Sequence, residues 1–117
     1  MITNDDMDDV FHALAHATRR AILDRLRARP GQGVGELAQG FDVSRIAIMN
    51  HLSVLEKAGL VVSEKRGRKR CLYINTLPIQ QVRDRWIDHI EAPFVERLAT
   101  LKRDAEAAHA EKKDIGA

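Results

Sequence analysis

The chain has 117 residues, 44% hydrophobic and 31% charged, with a net charge of +2 and one cysteine. Those figures describe one globular domain rather than a disordered segment, and they exclude an internal disulfide framework and suit a reducing compartment. No apolar run approaches the roughly 18 residues of a membrane span, and the first ten residues, with four aspartates and no Lys or Arg, read as the opposite of a secretory leader.

The charge is distributed unevenly. Residues 41–75 hold seven Lys or Arg against three Asp or Glu, a local +4, whereas 1–40 and 76–117 each come to −1. A basic middle on a near-neutral chain points to an anionic partner met by one face. A loop kept basic for solubility has the same composition.

In chain order, Thr3 or Asn4 caps a first helix whose early turns hold Asp5, Asp6, Asp8 and Asp9, where carboxylates favour the dipole. Met7, Val10, Phe11 and Leu14 recur at helical spacing. Thr18 is expected to cap a second helix carrying Ile22, Leu23 and Leu26, which Arg29-Pro30-Gly31-Gln32-Gly33 ends. A short helix over 34–39 stops at Gly40, and Ser44 caps a fourth running to about Ala58, with Gly59 as its stop.

Two short helices joined by a tight turn are a helix-turn-helix. On the second, Ile48, Leu52 and Leu55 form the buried stripe. The opposite side carries Ile46, Met49, Asn50, Ser53 and Lys57, with Arg45 at the flank. Apolar side chains left on that face suit thymine methyls and base edges in a major groove; single surface hydrophobes are also ordinary.

After Gly59 the period changes. Residues 60–65 and 70–75 read as strands around a turn at Gly67-Arg68-Lys69, and Lys65, Arg66, Arg68, Lys69 and Arg70 concentrate at its tip. The expected fold is therefore mainly α with a small β-hairpin (α+β): a winged helix-turn-helix of about five helices. The wing would meet phosphates, which supply salt-dependent affinity without reading sequence.

The segments "ALAHATRRAILDRL" (13–26), "VGELAQGFDVSRIAIMNHLSVLEKAGLV" (34–61) and "KRGRKRCLYIN" (65–75) together resemble the ArsR/SmtB family of bacterial transcriptional repressors. The resemblance implies a cytoplasmic, nucleoid-associated homodimer that binds an imperfect palindrome in double-stranded DNA and is released by an effector, here unknown. It also implies DNA-binding positions at Ser44, Arg45, Ile46, Met49, Asn50, His51 and Ser53 on the helix at 44–58, and at Lys65, Arg66, Gly67, Arg68, Lys69 and Arg70 in the wing at 63–75. The family's metal-binding cysteines would fall at Ala38 and Gly40, so that site is absent, and the Asp/His/Glu spacing of the last helix does not reproduce the second one. No cofactor and no metal are expected. Cys71, beside Lys69 and Arg70, is either a redox-sensitive thiol or a small strand hydrophobe.

Val82, Trp86, Ile90, Phe94, Leu98 and Leu101 form one apolar stripe on a C-terminal helix of roughly 25 residues, which Pro93 should kink or split near 89–92. A stripe of that length needs a partner's copy. The expected α-helical dimer interface comprises Val10, Phe11, Leu14, Trp86, Ile90, Phe94, Leu98 and Leu101. The domain would span 1–103, with 104–117 a fraying charged tail. Neither a phosphate loop after a strand nor a nucleophile or carboxylate–His constellation is present, so no enzyme activity is expected. The main alternative to DNA binding is a winged helix used only for protein contacts.

Overall fold

The computed structural model describes residues 2–87 and 92–115. Six helices and one hairpin lie within them: α1 (Asn4–Leu14), α2 (Ala17–Ala28), α3 (Val34–Gln39), α4 (Arg45–Lys57), β1 (Val61–Arg66), β2 (Lys69–Ile74), α5 (Leu77–Ile87) and α6 (Ala92–Ile115). The chain divides into two compact units, Met1–Asp84 and Arg85–Ala117.

The first unit contains the winged domain and its core. Thr3 caps α1 in a full capping box: its side chain accepts from the Asp6 amide while the Asp6 carboxylate accepts from the Thr3 amide. The cap of α2 is not Thr18 but His16, whose ring nitrogen accepts from the Thr18 amide at 3.1 Å. The adjacent pair Arg19-Arg20 then closes the corner between α1 and α2. Arg19 donates to the carbonyls of Ala13 and His12, both at 2.8 Å, and Arg20 donates to the carbonyl of Leu14 at 2.6 Å. The carbonyls of Ala13 and Leu14 gain their donors this way, and that of His12, which also accepts from the Ala15 amide, gains a second one. Arg19 is only 8% exposed.

Ser44 caps α4, accepting from the Ala47 amide at 3.1 Å. The end of α4 is a Schellman motif. The Gly59 amide donates to the Glu56 carbonyl and the Leu60 amide to the Leu55 carbonyl, each at 2.9 Å, with Gly59 at φ +76°. Leu55 and Leu60, the apolar pair that accompanies this motif, are both fully buried. The core draws Val10 and Ala13 from α1, Ile22, Leu23 and Leu26 from α2, Leu37 from α3, Ile48, Leu52 and Leu55 from α4, and Leu72 from β2. Burial of each large aliphatic side chain contributes about 1.5–3 kcal/mol. The stripe expected on α4 is thus the side that anchors it.

The hairpin is antiparallel, pairing Val61 with Ile74 through Arg66 with Lys69. Its turn has two residues, Gly67 and Arg68, rather than three. Gly67 has φ +62° and Arg68 is not at positive φ, the pattern of a II′ turn with glycine first. A third segment joins on the far side of β2. Gln32 bridges to Leu72, with the Gly31 amide on the Leu72 carbonyl at 2.8 Å and the Leu72 amide on the Gln32 carbonyl at 2.9 Å. The stretch 29–33, expected only as a break, therefore also holds the wing. Asn75 closes the hairpin onto the end of α4, its amide donating to Leu60 and its side chain to the Gly59 carbonyl.

The C-terminal stripe is carried by two elements, α5 and α6; of residues 89–92, where the kink or split is expected, 89–91 lie outside those described. Pro93 falls in the first turn of α6, where a missing amide hydrogen costs no helical bond. α6 runs on past 104 to Ile115. Ala, Glu and Lys dominate 105–113 and are strong helix formers.

Candidate nucleic-acid interface

The face of α4 opposite its core stripe is open. Ser44, Arg45, Asn50 and Ser53 are exposed, and Ile46 and Met49 are 72% and 47% exposed. The Ser53 hydroxyl donates to the Met49 carbonyl, so its remaining role is that of an acceptor. Ile46 and Met49 are apolar side chains left largely open among the described residues, on the helix that the Ser44 cap orients.

The wing stands beside this face. Arg45 and Met49 from α4, residues 33–36 at the start of α3, and Arg68, Lys69 and Arg70 from the hairpin line one open groove of about 510 Å³. Two segments far apart in sequence thus share a single concave surface. Gly67 leads the turn with open space around it. Lys65 and Arg68 have no carboxylate within ion-pair distance among the described residues, and Arg66 meets only Glu64 on its own strand, at 3.6 Å with both side chains exposed.

Lys69 and Arg70 differ from the other wing cations. Lys69 pairs with Glu36 of α3 at 2.6 Å, and Arg70 pairs with Glu56 of α4. The Lys69 hydrogen bond, reinforced by the Gly33 amide, holds the Glu36 carboxyl below its ordinary range, and the same pair holds Lys69 above its own. The sequence reading missed both glutamates, because each partner lies far away along the chain.

Two expected site residues are placed elsewhere. His51 points away from the open face and is partly buried against Arg19, with its Nδ1 3.4 Å from the guanidinium and its ring 4.6 Å from that of His16. Arginine cannot accept a hydrogen bond, so this contact needs a bare, neutral Nδ1. Desolvation, then the nearby His16 and Arg19, push the His51 pKa below its ordinary value. The group therefore stabilises the fold fully above about pH 6.5 and less as the pH falls below that value, because the unfolded chain takes up the proton first. Thermal unfolding of wild type and His51→Gln compared down that acid range should show a smaller acid-side loss of Tm in the variant; equal losses would separate His51 from the effect.

Val10, expected at a dimer interface, is 1% exposed and spent in the core of the first unit. Leu14 is half-buried against the same core, while Phe11 remains exposed. Trp86, Phe94, Leu98 and Leu101 are each at least half exposed in the second unit, and Ile90 lies outside the described residues. Cys71 is buried in β2 opposite Glu64, which restricts access of oxidants to its thiol. Among the described residues no three His, Cys, Asp or Glu side chains group to hold a metal ion. Among them, too, no helix is long and apolar enough to cross a membrane.

A helix-turn-helix whose second helix presents an uncovered mixed face, flanked by a cationic hairpin over a shared groove, is the winged DNA-binding domain of a transcriptional regulator. A family described as a helix-turn-helix domain matches residues 14–64. The uncharacterized HTH-type transcriptional regulator YuzN of Bacillus subtilis (strain 168) is 40% identical over 91 residues, covering 73% of this chain and 99% of that protein. An ArsR-like transcriptional regulator from Rhodococcus sp. RHA1 has a similar structure: 36% identity, 88% of this chain, 93% of that one and a TM-score of 0.65. The homodimeric winged helix-turn-helix DNA-binding domain Mb0332 of Mycobacterium bovis, a possible ArsR-family regulator, is 25% identical, covering 74% and 83% with a TM-score of 0.58. The chain belongs to the ArsR family of helix-turn-helix transcriptional regulators.

Proposed function

We propose that the chain is a homodimeric, cytoplasmic bacterial repressor without enzyme activity, which occupies a roughly palindromic operator in double-stranded DNA. The observation that carries this reading is the uncovered face of α4 set over one groove with the wing. Two copies of α4 would enter successive major grooves about 34 Å apart. Ser44 and Arg45 stand at the entering end, and Ile46, Met49, Asn50 and Ser53 face the bases. Asn50 suits adenine and Arg45 suits guanine, each worth about 1–3 kcal/mol of discrimination. Lys65, Arg66 and Arg68 meet phosphates, and Gly67 lets the turn come close to the backbone.

The exposed apolar side chains of the second unit, Trp86, Phe94, Leu98 and Leu101, support a second copy as the partner of that unit. The homodimeric state of Mb0332 supports the same arrangement. Repression follows from occupancy: a dimer seated on a promoter excludes polymerase.

The test is gel retardation against duplexes enriched from a random pool, over a range of salt. Arg68→Ala should weaken binding to every sequence alike and flatten the salt slope by about 0.9 per wing. Asn50→Ala should instead lose preference at one base position per half-site. A protein that leaves duplex DNA unshifted in dilute buffer is a module for protein contacts, and this reading falls.

A further inference from the structure

Five cations crowd the wing, yet they are held in two different ways. Lys65, Arg66 and Arg68 project from the strand end and turn, and no carboxylate of another element pairs with them among the described residues. Lys69 and Arg70, at the start of the return strand, are each tied to a glutamate of a different helix: Glu36 near the start of α3 and Glu56 near the end of α4. These two helices form the helix-turn-helix itself. The ties therefore connect the wing to both helices of the reading head, on opposite sides of it. Glu36 is the third residue of α3, one turn from Gly33, the cap of that helix.

We propose that Glu36 and Glu56 are positioning and specificity-determining residues, which occupy Lys69 and Arg70 in place of phosphates and fix the wing against α3 and α4. This inference rests on the DNA-binding reading above. All four side chains are partly exposed, so neither pair contributes much to folding. Their consequence lies in binding. If Lys69 moved from Glu36 to a phosphate, a bare carboxylate would remain in the groove facing the polyanion, so the exchange gains little. The paired cations consequently release few counterions, and sequence-independent affinity is set by Lys65, Arg66 and Arg68 alone. Lower non-specific affinity raises the ratio of operator to random binding, the quantity that matters among many competing sites. The wing, held from both sides, also keeps its tip at a fixed offset from Arg45 and Met49 in the shared groove.

The experiment measures binding of the full-length chain to a random-sequence duplex as a function of salt. Wild type is compared with Glu36→Gln, Glu56→Gln, their double variant, and a charge swap joining Glu36→Lys with Lys69→Glu. Each glutamine variant frees one cation per wing. It should tighten random-duplex binding and steepen the salt slope by about 0.9 per wing, with the ratio of selected-operator to random binding falling. The charge swap restores the pair and should return the slope toward wild type, whereas a Lys69 that touches phosphate would make the same swap abolish binding. Unchanged slopes in the glutamine variants, or loss of binding in the swap, overturn the inference while wild type still binds DNA. A wild-type chain that fails to shift the duplex at all overturns the DNA-binding reading, and this inference with it.

Discussion

With Leu98→Asp and Leu101→Asp together, the chain is expected to sediment as a monomer and to lose roughly a thousandfold or more of its operator affinity. Both leucines lie on α6 at least half exposed, in line with Phe94 and near Val95, and no residue of their own helix covers them. Covering each in a partner's helix would contribute about 1.5–3 kcal/mol, and replacing both by carboxylates reverses that while adding charges that association would have to desolvate. The fall in affinity follows from geometry. One α4 with one wing makes one half-site's contacts, and a free monomer loses the high effective concentration that a tethered second copy supplies. Specific dimers typically hold DNA about 10³–10⁷ times more tightly than non-specific contacts do, and a monomer slides toward the lower regime. The core of the first unit is drawn from residues 10–72, so the far-ultraviolet circular dichroism of that unit should persist. A variant that remains dimeric, or that binds as a monomer with undiminished affinity, would show that α6 does not hold the two reading heads together.

The signals that were legible in the sequence are those that act within a few residues. Thr3 with Asp6, Ser44 with Ala47 and Gly59 after Leu55 are local chemistry, and each appears where its residue type implies. The wheel of α4 separates Ile48, Leu52 and Leu55 from Ile46 and Met49 because a helix of known cap has a fixed phase. What stayed hidden is non-local or runs against residue type. An arginine reads as a surface residue, yet Arg19 goes inside, where it donates to the buried Ala13 carbonyl and to that of His12 at the end of α1. The Gln32–Leu72 bridge spans forty positions of chain and leaves no periodic trace. The pairs of Lys69 with Glu36 and Arg70 with Glu56 also join separate elements, so five wing cations look equivalent in the sequence when two are already tied to helices. At the other end, 104–117 is Ala-rich with mixed charge, a composition that suits a fraying tail and helix alike, and α6 runs to Ile115.

Arg19→Met is expected to cost about 2–4 kcal/mol of folding stability, against at most about 1 kcal/mol for Arg20→Ala. Both arginines donate to carbonyls at the end of α1, and they differ in burial. The Met side chain keeps much of the volume and apolar stem of Arg19, so the loss combines its two charge-assisted hydrogen bonds with the Ala13 carbonyl it leaves without a donor. The His12 carbonyl keeps the Ala15 amide, whereas a buried carbonyl without a donor costs about 1–3 kcal/mol, and that of Ala13 lies beneath a side chain that is 8% exposed. The exposed bond of Arg20 to Leu14 can be replaced by water, so its removal is mild. In a cooperative unit of this size a loss of 2–4 kcal/mol lowers Tm by on the order of 10 °C or more. Because dimerisation would link stability to concentration, wild type and both variants need comparison at one protein concentration, by urea titration and thermal melts. The corner held by Arg19 also carries His51 on the inner side of α4, so its loss should loosen the recognition helix before the hairpin, which Gln32 and Asn75 hold independently. Amide exchange that rises first in α1, α2 and α4 while β1 and β2 remain protected would bear this out, and equal stability of the two variants would assign Arg19 no greater part than its neighbour.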